Sequence, residues 1–153
     1  MAPVMIGGDY FRVMARNNAW QNSQLLDILD AMPVGELTRD RGAFFGSILG
    51  RLNHVLWGDN LWMSRFYGGP APGVGGADGP AMHADLQGWG QALAEMASRI
   101  SGWASGLKLD LCVASFFNHQ THHRGQVHAM LTAAGSKAPV SDLFLMPEES
   151  PWL

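Results

Sequence analysis

The sequence predicts an all-α protein: an antiparallel four-helix bundle with one Gly/Pro-rich crossover loop and a short C-terminal tail. Three observations predict it. Apolar residues recur with the 3.6-residue helical period in four segments of about 20 to 25 residues. Aspartates stand where those segments begin, and Gly or Pro stands where they end. Strand signals are absent apart from a few residues near Leu107 to Leu111.

Asp9 can cap the first helix, which runs to Ala31 and stops before Pro33, with Phe11, Met14, Ala15, Leu25, Leu26 and Leu29 as its stripe. Asp40 can cap the second, from Arg41 to Tyr67, ended by Gly68-Gly69-Pro70. Its apolar face collects Phe44, Phe45, Ile48, Leu49, Leu52, Val55, Leu56, Trp62 and Met63. Residues 68–80 are rich in Gly and Pro and read as a structureless, exposed crossover. Asp85 can cap the third helix, to Ser105, with Leu86, Leu93, Met96, Ile100 and Trp103 facing inward. Asp110 can cap the fourth, to Ala134, and Gly135 suits the position just past its end. The tail, with Pro139, Pro147 and Pro151, reads as a short turn packed on the bundle.

Composition bounds the function. A chain of 153 residues suits one domain over its whole length. At 47% hydrophobic and 15% charged it is too apolar for disorder. The ten basic residues are scattered and the net charge is -3, which argues against binding nucleic acid by phosphate neutralisation. A single cysteine, Cys112, excludes an internal disulfide framework and fits a reducing compartment. Met1 to Tyr10 lacks the basic and apolar regions of a secretory signal, and no stretch is apolar for long enough to span a membrane. The expected location is the cytoplasm.

Six histidines are the unusual count, and four of them lie between 119 and 128. At about 100° per residue, His119 and His123 share the inward face of the fourth helix with Phe116, Val127 and Met130. One turn apart, two imidazoles can reach one ion at roughly 2.0–2.1 Å. They can equally be core histidines satisfied by hydrogen bonds, since the pair lacks the glutamate of an HExxH motif. A metal site needs a third ligand from another helix. His54 is the natural candidate, with the small residues Ser47, Gly50 and Gly58 near it on the helical wheel; the alternative is a half-exposed surface histidine. His83, after the loop, is a weak fourth candidate. His122 lies toward the edge and His128 opposite the face. Cys112 is two turns from His119, about 10 Å by helix rise, so it cannot share the ion through the same helix. Nitrogen ligands without paired cysteines suit Zn, Ni, Co or Fe(II), and three such ligands leave positions open for water or substrate.

Polar residues inside the apolar stripes suggest outer support for such a site. Asn18 and Asn22 are i, i+4 on the inward side of the first helix, and buried amides need partners. Asp59 sits within the second helix's apolar face and can orient a histidine or pair with Arg124. The same residues can instead form a hydrogen-bond network that holds the helices in register.

Three blocks of sequence together resemble the DinB (DinB/YfiT-like) superfamily of bacterial proteins induced by DNA damage or stress. ARNNAWQNSQLL from Ala15 is similar to the family's first-helix stretch, matched by Asn18, Trp20 and Asn22, with Asn17 where a tyrosine is usual. RGAFFGSILGRLNHVLWGDNLWMSRF from Arg41 places His54 at the first metal-ligand position and Asp59 at the usual acidic one. FNHQTHHRGQVHAML from Phe117 is the most specific block and places His119 and His123 at the second and third ligand positions. Asp142-Leu143-Phe144 in the tail also fits, while the connector Gly106 to Asp110 is shorter than the family's hairpin-like one, so substrate access is expected to differ. The resemblance implies a divalent metal on His54, His119 and His123, with Asn18, Asn22, Asp59, His122 and Arg124 as its surroundings. It also implies a homodimer and, by analogy with relatives that are thiol S-transferases, a low-molecular-weight thiol and a small-molecule substrate. The leading expectation is a metal-dependent transferase in stress response or detoxification. A metal-dependent hydrolase, or a non-catalytic metal- or ligand-binding stress protein, is the alternative.

Overall fold

The computed structural model describes residues 8–105 and 111–147. They form α1 (Gly8–Asp30), α2 (Val34–Thr38), α3 (Ile48–Phe66), α4 (Leu86–Ser105) and α5 (Leu111–Ala133), with 3-10 turns at Gly79–Ala81 and Leu143–Leu145. The one β-type pairing among the described residues is an isolated Ala43–Gly46 bridge. The expected all-α bundle of four long helices is therefore found, with α2 as a short addition.

Side-chain contacts give the helix directions. Leu26 of α1 meets Gly90 of α4, and Ala15 and Ala104 line one cavity, so these two helices run antiparallel. Arg51 of α3 meets His123 of α5 and Asp59 meets Gln120, so these two are antiparallel as well. The crossover lets α3 and α4 run parallel: Asn53 binds His83 just before α4, and Phe66 stacks on Trp103 near its end. That pairing is the geometric result of a long connection, since a short turn would return the chain antiparallel.

The helix ends follow local chemistry. Asp9 lies in the first turn of α1 rather than before it, paired with Arg12, where a carboxylate favours the helix dipole. Asp85 caps α4 as expected, accepting from Gly88 N–H at 2.8 Å. Gly135 follows α5 with φ 78°, and Ser136 N–H and Gly135 N–H bond Leu131 and Thr132 carbonyls at 3.0 Å, a Schellman ending. Asp110, Pro151, the short connector and the Leu107 region lie outside the described residues, as does the side chain of Cys112.

The second long helix begins later than its periodicity suggests. Gly42 and Gly46 hold φ of 66° and 67°, Arg41 N–H bonds Gly46 O at 2.8 Å, and Gly46 N–H bonds Ala43 O at 2.7 Å. Left-handed backbone interrupts a helix, so the segment from Arg41 closes as a turn instead. Asp40 serves that turn, accepting from Gly42 N–H at 2.9 Å, and Ser47 is the true cap, accepting from Gly50 N–H at 3.0 Å. Phe44, expected on the apolar face, is consequently 89% exposed.

The crossover is also more ordered than expected. Trp57 Nε1 donates to Val74 O at 2.9 Å, and Asn53 Nδ2 donates to Pro80 O and His83 O at 3.0 and 2.8 Å. Two side chains of α3 thus hold a loop whose own residues are mostly exposed. The tail packs on the bundle as expected: Gln24 exchanges two 2.9 Å bonds with the backbone of Val140, and His128 Nε2 lies 3.0 Å from Pro139 O.

Inward stripes from every long helix meet in one core that includes Phe11, Leu29, Ile48, Leu56, Met63 and Leu131. Aromatic rings chain through it from Trp62 to Phe66, Trp103, Phe116 and Phe117, with centroids 5.2–5.6 Å apart, tying α3, α4 and α5 together. No helix among the described residues is long and apolar enough to cross a membrane. Because Ser47 sets the start of α3, Ser47→Ala should destabilise the protein by about 1 kcal/mol, read from the urea unfolding midpoint; an unchanged midpoint would refute the cap.

Candidate metal centre

The site is built where α3 and α5 cross. His119 and His123 are one turn apart on α5 and face α3, whose His54 meets them both. Ring centroids are 4.5 Å apart for His119–His123, 4.7 Å for His54–His123 and 5.7 Å for His54–His119. One nitrogen from each ring lies within 4.8 Å of the other two. Ligand atoms on one tetrahedral zinc stand about 3.3 Å apart when the bonds are roughly 2.0–2.1 Å, so modest ring movement would close the set around an ion.

Gly58 makes the approach possible. A Cβ there would stand 2.9 Å from His119 Cε1, closer than packed atoms allow, so the imidazole rests against bare backbone. On the other side, the Ser47 cap and the glycine turn bring Phe45 back over α3. Its ring stacks on His54 at 3.9 Å, and Gly50 accommodates the fold-back, since a Cβ there would lie 2.5 Å from Phe45 O.

Burial leaves the three rings neutral. It pushes His54 and His123 down to about 4, with help from neighbouring rings and Arg51, and it lowers His119 as well. A neutral imidazole carries the lone pair that a metal requires. Nδ1 of His54 and Nδ1 of His119 are buried and bond to nothing, which costs free energy unless an ion or water meets the rings. Three neutral nitrogens, unmet polarity and no carboxylate in the group fit a borderline divalent cation such as zinc, nickel, cobalt or ferrous iron.

The residues that touch these rings are partly different from those expected. His123 Nδ1 lies 3.0 Å from Gln126 Oε1 and 3.0 Å from Arg51 Nη1. A protonated Nδ1 donates to Gln126 and leaves Nε2 with its lone pair; a bare Nδ1 accepts from Arg51 and puts the hydrogen on Nε2. Of the expected neighbours, His122 packs its exposed ring 4.9 Å from His123. Asn18, Asn22, Arg124 and Asp59 gather in a network of their own. Arg124 Nη1 donates to Asn18 Oδ1 and, at 3.5 Å, to Asn22 Oδ1, while Gln120 Nε2 donates to Asp59 Oδ1 at 3.1 Å. His83 is held through its backbone by Asn53, away from the three rings. Arg51, Gln126 and Phe45 had no local signal as site residues, because each acts through a partner distant in sequence or through a turn the periodicity hid. The small Gly50 and Gly58 beside His54 were the legible clues.

The buried network has its own titration. Burial raises Asp59 to about 7 against the Gln120 hydrogen bond and the Arg124 charge, and lowers Arg124 to about 10 against the Asp59 charge. With an unfolded value of 3.8, the native state holds the extra proton between, so this group's contribution to stability declines from about pH 4 to pH 7 and is flat above. The stability of the protein relative to Asp59→Asn should therefore fall between about pH 4 and about pH 7, measured by urea unfolding; a constant difference would contradict the raised value. Gly58→Ala should displace His119 and weaken cobalt or zinc binding by about ten-fold or more in a calorimetric titration with little change in fold. Unaltered affinity would show that the close approach is dispensable.

The sequence matches the DinB family over residues 7–75 and 78–151. No curated protein and no solved structure matches the chain. The match takes in both halves of the bundle, including α3 and α5 with their three histidines, and covers almost the whole length. The chain belongs to the DinB family.

Proposed function

We propose that this protein is a metal-dependent enzyme of the DinB family that holds a divalent ion on His54, His119 and His123 and acts on a small molecule through a thiol. The observation that carries this reading is the convergence of three neutral imidazoles, two from adjacent turns of α5 and one from α3, with nitrogens within 4.8 Å. A bound ion would supply Lewis acidity, lowering the pKa of a thiol or water at an open position.

The chain's own residues prepare the place for that chemistry. With its hydrogen on Nδ1, His123 donates to Gln126 Oε1 and keeps the lone pair of Nε2 for an ion. Phe45, stacked on His54, limits that ring's rotation and keeps water from its face. Gly58 sets how closely His119 approaches α3. Three protein ligands leave coordination positions free, which is the arrangement of reactive rather than purely structural sites. A thiol transferase in stress response or detoxification, cytosolic and homodimeric, extends this reading from the family resemblance. A hydrolase using the same open position is the near variant.

Elemental analysis of purified protein should find about one equivalent of a divalent metal, and His123→Ala should lose most of it. Equal content in both, or none in either, would overturn the ligand assignment. With the metal loaded, a low-molecular-weight thiol should be consumed by an electrophile panel faster than in the metal-free protein, followed by free-thiol titration. Identical rates would favour a binding protein over an enzyme.

A further inference from the structure

A buried cation needs an opposite charge or a full set of acceptors. Arg51 is 3% exposed and makes no ion pair with a carboxylate among the described residues, unlike Arg12, Arg39 and Arg41. Its Nε is buried with no partner. Its hydrogen bond goes to His123 Nδ1, and its Cζ lies 4.6 Å over the ring of Phe45, which itself stacks on His54. Arg51 is thus part of the wall of the histidine cluster.

That single hydrogen bond is incompatible with a metal-binding His123. When Nε2 offers its lone pair, the hydrogen resides on Nδ1 and goes to Gln126, and Arg51 Nη1 loses its acceptor. A divalent ion would then stand beside an unpaired guanidinium, with three neutral rings and, among the described residues, no carboxylate in the group to offset the charge. Such a centre is electrostatically incomplete until an anion enters.

We propose that the coordination positions left free at the centre take a small carboxylate-bearing ligand, its carboxylate shared between the ion and the guanidinium of Arg51. One planar guanidinium fork matches the two oxygens of one carboxylate. This deepens the metal reading and rests on it: the substrate or the thiol would carry a carboxylate near its reacting group. Arg51 then selects the ligand, and Phe45 holds the guanidinium from the side through a cation–π contact.

The test uses cobalt-loaded protein titrated with acetate, following the cobalt absorption band and, independently, the heat of binding. Arg51→Gln should bind acetate about ten-fold or more weakly, with Arg51→Lys between it and the unchanged protein. Cobalt uptake should be undiminished in both variants. Arg51→Lys keeps a positive charge in the wall and carries the comparison alone if the glutamine variant fails to fold. Equal acetate affinity in all cobalt-loaded forms would overturn the inference and leave the metal reading standing. Failure of the unchanged protein to take up cobalt would overturn the metal reading and this inference with it. Tighter binding of inorganic phosphate than of acetate, lost in the Arg51 variants, would overturn the choice of carboxylate.

Discussion

The register between α3 and α5 is the constraint on which the rest depends. α5 buries His123, Gln120 and Arg124 together with Phe116, Phe117, Val127 and Leu131, so its buried arc is polar and apolar at once. Such a helix can be buried only where its polar groups find partners. Asp59 receives Gln120, Arg51 meets His123, and Gly58 receives the ring of His119. A slip of one turn would strand several buried polar groups at about 1–3 kcal/mol each and drive His119 into a side chain. The same register that satisfies these groups brings the three imidazoles together, so positioning the cluster and stabilising the bundle are one event.

Much of this was legible in the sequence because helical period, caps and glycines are local signals. The stripes of α1, α4 and α5 face the core as their spacing indicates, with Met14, Leu26, Leu86 and His119 only partly buried, Asp85 caps α4, and Gly135 ends α5. The grouping of His54 with His119 and His123 could be anticipated from face positions and from the small residues beside His54. What escaped was of two kinds. Gly46 and Ser47 are a stop and a start inside an apolar run, and hydrophobic period continues across them without notice. Arg51 and Gln126 look like ordinary polar positions, because what they touch is decided by which helix faces which. Partner identity is a tertiary fact, and one-dimensional spacing carries little of it.

The low share of charged residues also takes on meaning in the fold. Arg51, Asp59 and Arg124 are buried, so part of the small complement of charges is spent inside the bundle rather than at its surface. Around Arg124, side-chain amides and a nearby carboxyl with raised proton affinity moderate the charge. Among the described residues, Arg51 has no such provision. Two buried arginines on facing helices therefore live under different electrostatic terms, one beside side-chain amides and a carboxyl and the other beside three neutral rings.

The crossing of α3 and α5 has a further consequence for the chain as a polymer. His54 and His119 are 65 positions apart, and the whole crossover, α4 and the connector lie between them. An ion gripping both would act as a removable cross-link closing that long loop, restricting the unfolded ensemble much as a covalent bridge does. In a protein with one cysteine, and so no internal disulfide of its own, a metal clip is a way to fasten distant segments that responds to metal supply instead of to redox state.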